Sequence, residues 1–349
     1  MNDKDFLTAL YTTILRRAPD TSGFKHWSSA LAAGTPRDRV LTSFLESEEY
    51  QRITRQMQAD EGPIAFPLLD QVASSILPIR ICDVGAMLIP GEPHAYSRLL
   101  GSSDCRVVAF EPVEEERQKR SAQEPEVILL GHIIGDGSEA PFYVVNKPQY
   151  SSLYPPDFRF MNRFAALGVE ADVVATERVQ TRRLDDLEEV RGTNFLKVDV
   201  QGAALRVIDG AQHLLQKVAV IHVEVDFAPL YEGQCLFADI DRALRTQGFE
   251  FITFALQQKY HYRAGSRAEF MAPCRPTRLL WADAVYVKSD RELEQADVDE
   301  IMRTAYIVHV NYGMYDFAAH LLGQYDMLMG SDFYAQYRTA MAGEAAAHK

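Results

Sequence analysis

The residues best suited to chemistry lie in three stretches, Asp83-Val84-Gly85-Ala86, Glu111-Pro112 and Lys197-Val198-Asp199-Val200-Gln201-Gly202. Each follows or ends an apolar run that reads as a strand, and open α/β sheets bind ligands just beyond the carboxyl ends of their strands. Asp83 and Gly85 close the run from Ile79 with an acid and a residue free to turn. Glu111 closes the run Arg106–Phe110, where an acid can accept hydrogen bonds from ribose hydroxyls; a solvated strand end is the plainer alternative. Lys197 and Asp199 share one strand face, and Asp199 reaches the carboxyl end beside the first loop unless it serves only as a helix N-cap. Gly202 permits the sharp turn that follows. In His222-Val223-Glu224-Val225-Asp226 the period of two puts His222 and Glu224 on one side, with an interior histidine and a structural ion pair as their simpler readings. The loop after Gly85 is unusual: Met87, Leu88 and Ile89 stand where a nucleotide loop carries further glycines.

These strand ends need a sheet to bring them together. Apolar runs at Ile79–Val84, Arg106–Phe110, Glu126–Ile134, Phe195–Val200, Ala219–Val225 and Phe249–Phe254 alternate with helical patterns, among them Ala203–Leu215 and Leu236–Thr246. That order predicts a doubly wound, mostly parallel α/β sheet with helices on both faces. A seventh strand, Ala282–Lys288, has no long helix before it and should enter antiparallel. Residues from Tyr154 to Val169 read as a lid or as a surface loop with a buried underside. Helices are expected at Asp297–Val308, Tyr315–Met329 and Asp332–Met341, the last with Ser331 as N-cap.

Composition sets the outer limits. The 349 residues carry a formal net charge of −13, which argues against nucleic acid as a partner because phosphate contacts demand basic surface. No apolar run is long enough to span a bilayer. The start Met-Asn-Asp-Lys-Asp is acidic rather than signal-like, so a cytoplasmic protein is expected. Cys82, Cys105, Cys235 and Cys274 are dispersed, without the spacing of a zinc site, and no metal is expected.

Residues from Asp5 to about Gln51 predict three short helices, with Gln58–Pro67 as a linker behind them. Their signature, Tyr11, Leu15, Arg17, Pro19, Asp20, Gly23, Trp27, Ser47, Glu49 and Tyr50, resembles the small helical module DUF4214. Trp27 and Tyr11 are expected to pack in its core.

The region from about Ile79 to Lys288 resembles the FkbM family of S-adenosylmethionine-dependent methyltransferases, many of which methylate hydroxyls of sugars and natural products. The resemblance rests on Asp83-Val84-Gly85-Ala86, Ala109-Phe110-Glu111-Pro112, Ser151-Ser152-Leu153, Arg183-Leu184-Asp185-Asp186, Leu196–Gly202, Glu224, Leu230–Gln234 and Leu280–Val285. Two positions depart from it: the first loop holds Met87, Leu88 and Ile89, and Gln201 stands where an acid is frequent. The resemblance implies a seven-stranded class I (Rossmann-like) sheet over residues 61–290, between a helical module at 1–60 and a helical extension at 291–349. It implies S-adenosylmethionine as cofactor, contacted by Asp83, Gly85, Ala86, Glu111, Pro112, Ile134, Asp136 and Gly202, with Ile134 on the adenine ring and Asp136 on its exocyclic amine. A Gly-Asp-Gly turn into a Phe142–Val145 strand is the competing reading of Asp136. Ser151 and Ser152 either reach the ligands or cap their loop. Asp199 holds the methionine ammonium or orients an acceptor hydroxyl, and Asp199 and Glu224 are the candidate catalytic bases. The acceptor implied is a hydroxyl of a sugar, glycan precursor or small molecule, and the terminal helices offer a surface to a protein partner. The alternative is a non-catalytic binding protein that keeps the fold.

Overall fold

The computed structural model describes residues 2–15, 17–45, 65–89, 91–165, 167–168, 170–263 and 276–347. Ser47, Glu49, Tyr50, Pro90, Val169, Cys274 and most of the expected linker lie outside the described residues. The chain divides into two compact units, Met1–Gly62 with His261–Thr277, and Pro63–Tyr260 with Arg278–Lys349.

In the first unit, helices Asp3–Thr13, Thr21–Ala32 and Arg37–Leu45 stand where the apolar stripes predict them. Asn2 and Asp20 cap the first two by accepting from the Asp5 and Gly23 N–H groups at 2.8 and 2.7 Å. Tyr11 meets Phe44 edge to face at 5.0 Å between ring centroids, and Trp27 leans on the same phenylalanine at 5.7 Å. A Cβ at Gly23 would run into the Tyr11 hydroxyl, so this position of the signature is held by packing.

Among the described residues, the second unit contains nine strands: β1 (Ile79–Val84), β2 (Cys105–Phe110), β3 (Ile128–Leu130), β4 (Glu139–Val145), β5 (Val173–Gln180), β6 (Phe195–Val198), β7 (Val220–Asp226), β8 (Phe249–Tyr260) and β9 (Arg278–Lys288). Seven of them form one sheet in the order β3-β2-β1-β6-β7-β9-β8. Pairing is parallel from β3 to β7, and β9 enters antiparallel between β7 and β8, as expected. The period of two sends Ile79 and Ile81 of β1 to one face and Cys82 and Val84 to the other. Helices Ala204–Asp209 and Phe237–Thr246 cover the second face. The first is covered by Leu69–Ile76, Ser97–Ser102 and Val298–Tyr312, with Tyr315–Met329 and Phe333–Ala347 packed behind. The last three helices therefore share a core with β1, β2, β7 and β9.

Several elements differ from expectation. β3 is shorter, because past Leu130 the chain leaves the sheet edge and pairs through Ile134 with Arg182. The helix expected over Ala203–Leu215 stops at Asp209: a Cβ at Gly210 would strike the Gly135 carbonyl, and Asp185 accepts from the His213 and Leu214 N–H groups to start a new turn. β5 is an added strand. It pairs with β4 in a separate hairpin and is exposed almost throughout, so it carries no alternation to read. The last helix is capped by Asp326 rather than by Ser331: the carboxylate accepts from the Phe333 and Tyr334 N–H groups, and Ser331 donates to it.

Candidate active site

At the carboxyl ends of β1, β2 and β6 a cleft opens, lined on one side by Gly85, Met87, Ile89, Glu111 and Pro112, and on the other by Ile134, Ser151, Asp199 and Gln201. It holds about 780 Å³ of empty space, its open mouth included, which is within the range of small-molecule sites. Met87 and Ile89 form apolar wall in this cleft rather than closing it.

Gly85 adopts φ +81°, and a Cβ there would collide with the Asp199 carbonyl, so two sheet ends meet as closely as backbone allows. Glu111 is buried, and its Oε1 accepts from the Val113 N–H at 2.8 Å. Arg117, one turn into helix Glu114–Gln123, donates to the Glu111 and Pro112 carbonyls at 2.7 and 3.2 Å and fixes this corner. Burial, opposed in part by the Val113 bond, pushes the Glu111 carboxyl up to about 7. A half-satisfied carboxylate on the wall of an apolar cleft suits a diol that donates two hydrogen bonds.

Asp83, expected at the cofactor, is placed differently. Its side chain is 2% exposed and does not line the cleft; it accepts from Tyr96 Oη at 2.8 Å and from Arg120 Nη1 at 2.7 Å, and Lys197 Nζ lies 3.2 Å from its other oxygen. Burial would raise this carboxyl, but Lys197, Arg120 and the hydroxyl outweigh it and hold it below the ordinary value. Arg120 is itself fully buried and also donates to the Ala86 carbonyl at 2.9 Å, while Lys197 donates to that of Gly85. The turn after β1 is thus pinned from beneath, and Ala86 lies under the cleft with its carbonyl engaged. Sequence reasoning missed Arg120; an arginine in a helix of alternating charges carries no signal that it points inward.

Asp136 is also engaged, by Arg206 through two contacts of 3.1 Å and by the Ser138 hydroxyl, and it lies outside the lining. Despite partial burial, Arg206 and Ser138 hold its carboxyl below the ordinary range. Gly202, φ +81°, packs on Tyr231 and Gln234 rather than on the cleft. The two serines line the cleft but act as loop caps: Ser151 Oγ accepts from the Val145 N–H, and Ser152 Oγ donates to the Gln201 carbonyl at 2.6 Å. Residues Met161, Phe164 and Leu167 bury the underside of the expected lid against Leu230, Tyr231 and Leu280.

Asp199 and Glu224 come together. Gln201 Nε2 donates to Asp199 Oδ1 at 3.1 Å and to Glu224 Oε1 at 3.3 Å, so one amide joins the ends of β6 and β7. Burial, then Asp199, Asp226 and Asp283, push the Glu224 carboxyl well above its ordinary value. Burial also raises Asp226, to about 7. His222 is an interior histidine, 3.1 Å from the Tyr312 hydroxyl and 3.4 Å from Asp283. Among the described residues, no group of three or more His, Cys, Asp or Glu could hold a metal ion, and no helix is long and apolar enough to cross a membrane.

The methyltransferase FkbM domain matches residues 83–251, and the domain of unknown function DUF4214 matches residues 1–54. Residues 83–251 therefore carry an FkbM methyltransferase domain. The FkbM sheet is a Rossmann-like α/β fold of class I, and its cofactor is S-adenosylmethionine. The protein is therefore an S-adenosylmethionine-dependent methyltransferase. No curated protein matches the sequence. Among solved structures, the magnesium protoporphyrin IX methyltransferase ChlM from Synechocystis PCC 6803 with bound SAM is 11% identical, over 83% of this chain and 98% of that one, with a TM-score of 0.30. A TehB-like SAM-dependent methyltransferase from Corynebacterium glutamicum is 12% identical, over 69% and 97%, with a TM-score of 0.27. The FkbM cleft fits its donor on its own residues: Gly85 provides the close turn, Glu111 an under-satisfied acceptor, and Met87, Ile89 and Ile134 an apolar lining.

Proposed function

We propose that the protein methylates a hydroxyl of a sugar, glycan precursor or related small molecule, with Asp199 and Glu224 on the acceptor side. The observation that carries this reading is the Gln201 bridge, which ties Glu224 of β7, itself outside the lining, to Asp199 on the cleft wall at the end of β6. In the same reading Glu111 takes the ribose hydroxyls, Pro112 and Gly85 shape the turn around them, and Ile134 packs on the adenine. Asp83, Ala86, Asp136 and Gly202 act from behind, by holding the loops that carry those contacts.

S-adenosylmethionine supplies the methyl group as a sulfonium. Glu111, Gly85 and Ile134 would hold that donor in line with the acceptor hydroxyl, and this alignment would provide most of the acceleration. Asp199 takes the hydroxyl proton. The acid-rich surroundings of Asp199 and Asp283 disfavour anionic acceptors and suit neutral or amino sugars. We assign the catalytic domain to residues 61–290, with the helical module at 1–60 and the extension at 291–349 offering surfaces to a protein partner. Among the described residues Cys82, Cys105 and Cys235 are free thiols, which supports a cytoplasmic setting.

The test is incubation of the full chain with methyl-labelled S-adenosylmethionine and a panel of neutral, amino and uronate methyl pyranosides, with products identified by mass spectrometry. A methyl ether on a neutral or amino pyranoside is expected. Asp199→Asn should lower kcat on the order of 10²- to 10⁴-fold while the donor Kd stays within about twofold. Transfer to nitrogen or carbon alone, or full turnover by Asp199→Asn, would overturn the reading.

A further inference from the structure

Gln201 carries a constraint on both its backbone and its side chain. It sits at φ +53°, in the left-handed region that disfavours any residue with a Cβ, and Gly202 follows in the same region. A glycine at 201 would relieve the backbone, yet the position holds a long amide with every polar atom engaged. Nε2 donates to Asp199 and Glu224; Oε1 accepts from Tyr231 Oη at 2.8 Å; the main-chain carbonyl accepts from Ser152 at 2.6 Å.

Tyr231 decides which way the amide points. Its side chain is 1% exposed, and burial with the nearby Glu224 and Asp226 carboxylates raises its hydroxyl well above the ordinary value, so it keeps its proton and donates it. Its other acceptor in reach, the Tyr150 carbonyl, is more distant at 3.4 Å. Turned over, the amide would set its oxygen against the Asp199 oxygen and its N–H group against the Tyr231 hydroxyl proton.

We propose that Gln201 is a positioning residue for methyl transfer: its amide, oriented by Tyr231, holds Asp199 and Glu224 as one proton-accepting pair at the acceptor side of the cleft. This rests on the roles given to Asp199 and Glu224 above. Asparagine at 201 is a methylene too short to reach both acids, and glutamate replaces the shared donor by a third carboxylate. The charged and titratable groups that face the pair are Lys197 from β6, Asp226 from β7, Asp283 from β9, Tyr260 from β8, Glu92 from the loop after β1, and Tyr231. Of these, Lys197 alone favours the ionised pair, at 3.5 Å from Asp199, so loss of the amide donor leaves the balance with the acids.

Two measurements on the full chain test this. The first needs no acceptor: carboxyl-¹³C titration of the pair, assigned by comparison with Asp199→Asn. Gln201→Glu should raise its midpoint by about one pH unit or more, and a midpoint equal to wild type overturns the proposal. The second is turnover with whichever pyranoside the panel shows to be methylated. Gln201→Gly should keep or raise the melting temperature, leave the donor Kd within twofold and lower kcat at least tenfold, with Gln201→Asn no better than Gln201→Gly. Wild-type kcat in a folded Gln201→Gly variant also overturns the proposal, since a merely structural residue would move stability and spare the pH profile. If no pyranoside is methylated, the substrate reading fails while the titration still decides the role of Gln201.

Discussion

In the function proposed above, Glu111 serves donor binding at the expense of the fold. Its carboxyl is raised by burial from 4.5 to about 7, so the folded protein binds this proton more tightly than the unfolded chain does. The sign follows: the destabilisation is absent below pH 4.5, grows as the pH rises toward 7, and is complete above it. Glu111→Gln keeps an oxygen for the Val113 N–H and removes the buried charge. It should raise the melting temperature by a few degrees at pH 8, the gain vanishing near pH 4.5, as read by circular dichroism. Donor binding has the opposite preference, because a diol donates to the ionised form. Calorimetry should find wild-type affinity for S-adenosylmethionine falling as the pH drops through 7, toward tenfold per unit, and a weaker, nearly flat profile in Glu111→Gln. A Glu111→Gln affinity equal to wild type at pH 8 would remove Glu111 from the ribose contact.

Among elements, helix Glu114–Gln123 contributes most to the site while lining none of it. Arg117 holds the Glu111–Pro112 corner, and Arg120 crosses beneath the first loop to Asp83, Tyr96 and Ala86. Removing Arg120 strands a buried carboxylate, with only Lys197 left to face its charge. Arg120→Met should cost about 3–5 kcal/mol, measured by urea unfolding, and adding Asp83→Asn should restore part of that loss. Additive losses would show that the two side chains are not coupled. The same element marks a limit of reading by pattern. Strand ends and turns were legible because apolar alternation and glycine placement are local properties. The inward turn of Arg120, the break at Gly210 and the exposed strand β5 were not, since each depends on a group far along the chain or on no burial at all.

For the molecule as a whole, the carboxyl-terminal helices are a layer of the core rather than an appendage. Ile301, Met302, Ala305 and Tyr306 are buried in one cluster with Ile79, Ile81, Val285 and Val287, so the sheet's first face depends on them. A chain ended before Asp297 would bare that face and should be insoluble or fail to show a cooperative melt; a soluble, cooperatively melting product that binds donor would contradict this. By itself the sequence determined the mostly parallel sheet, the antiparallel entry of β9, the resemblance to the FkbM family, and which strand ends carry Gly85, Glu111, Asp199 and Glu224. Those follow from short-range periodicity and from residue types at strand ends. Only the tertiary structure decided which acids remain for ligands. Asp83 and Asp136 are engaged by Arg120 and Arg206, and Asp199 and Glu224 are joined through Gln201, because the partner that neutralises or bridges a buried charge is chosen by distance in space, which spacing along the chain does not encode.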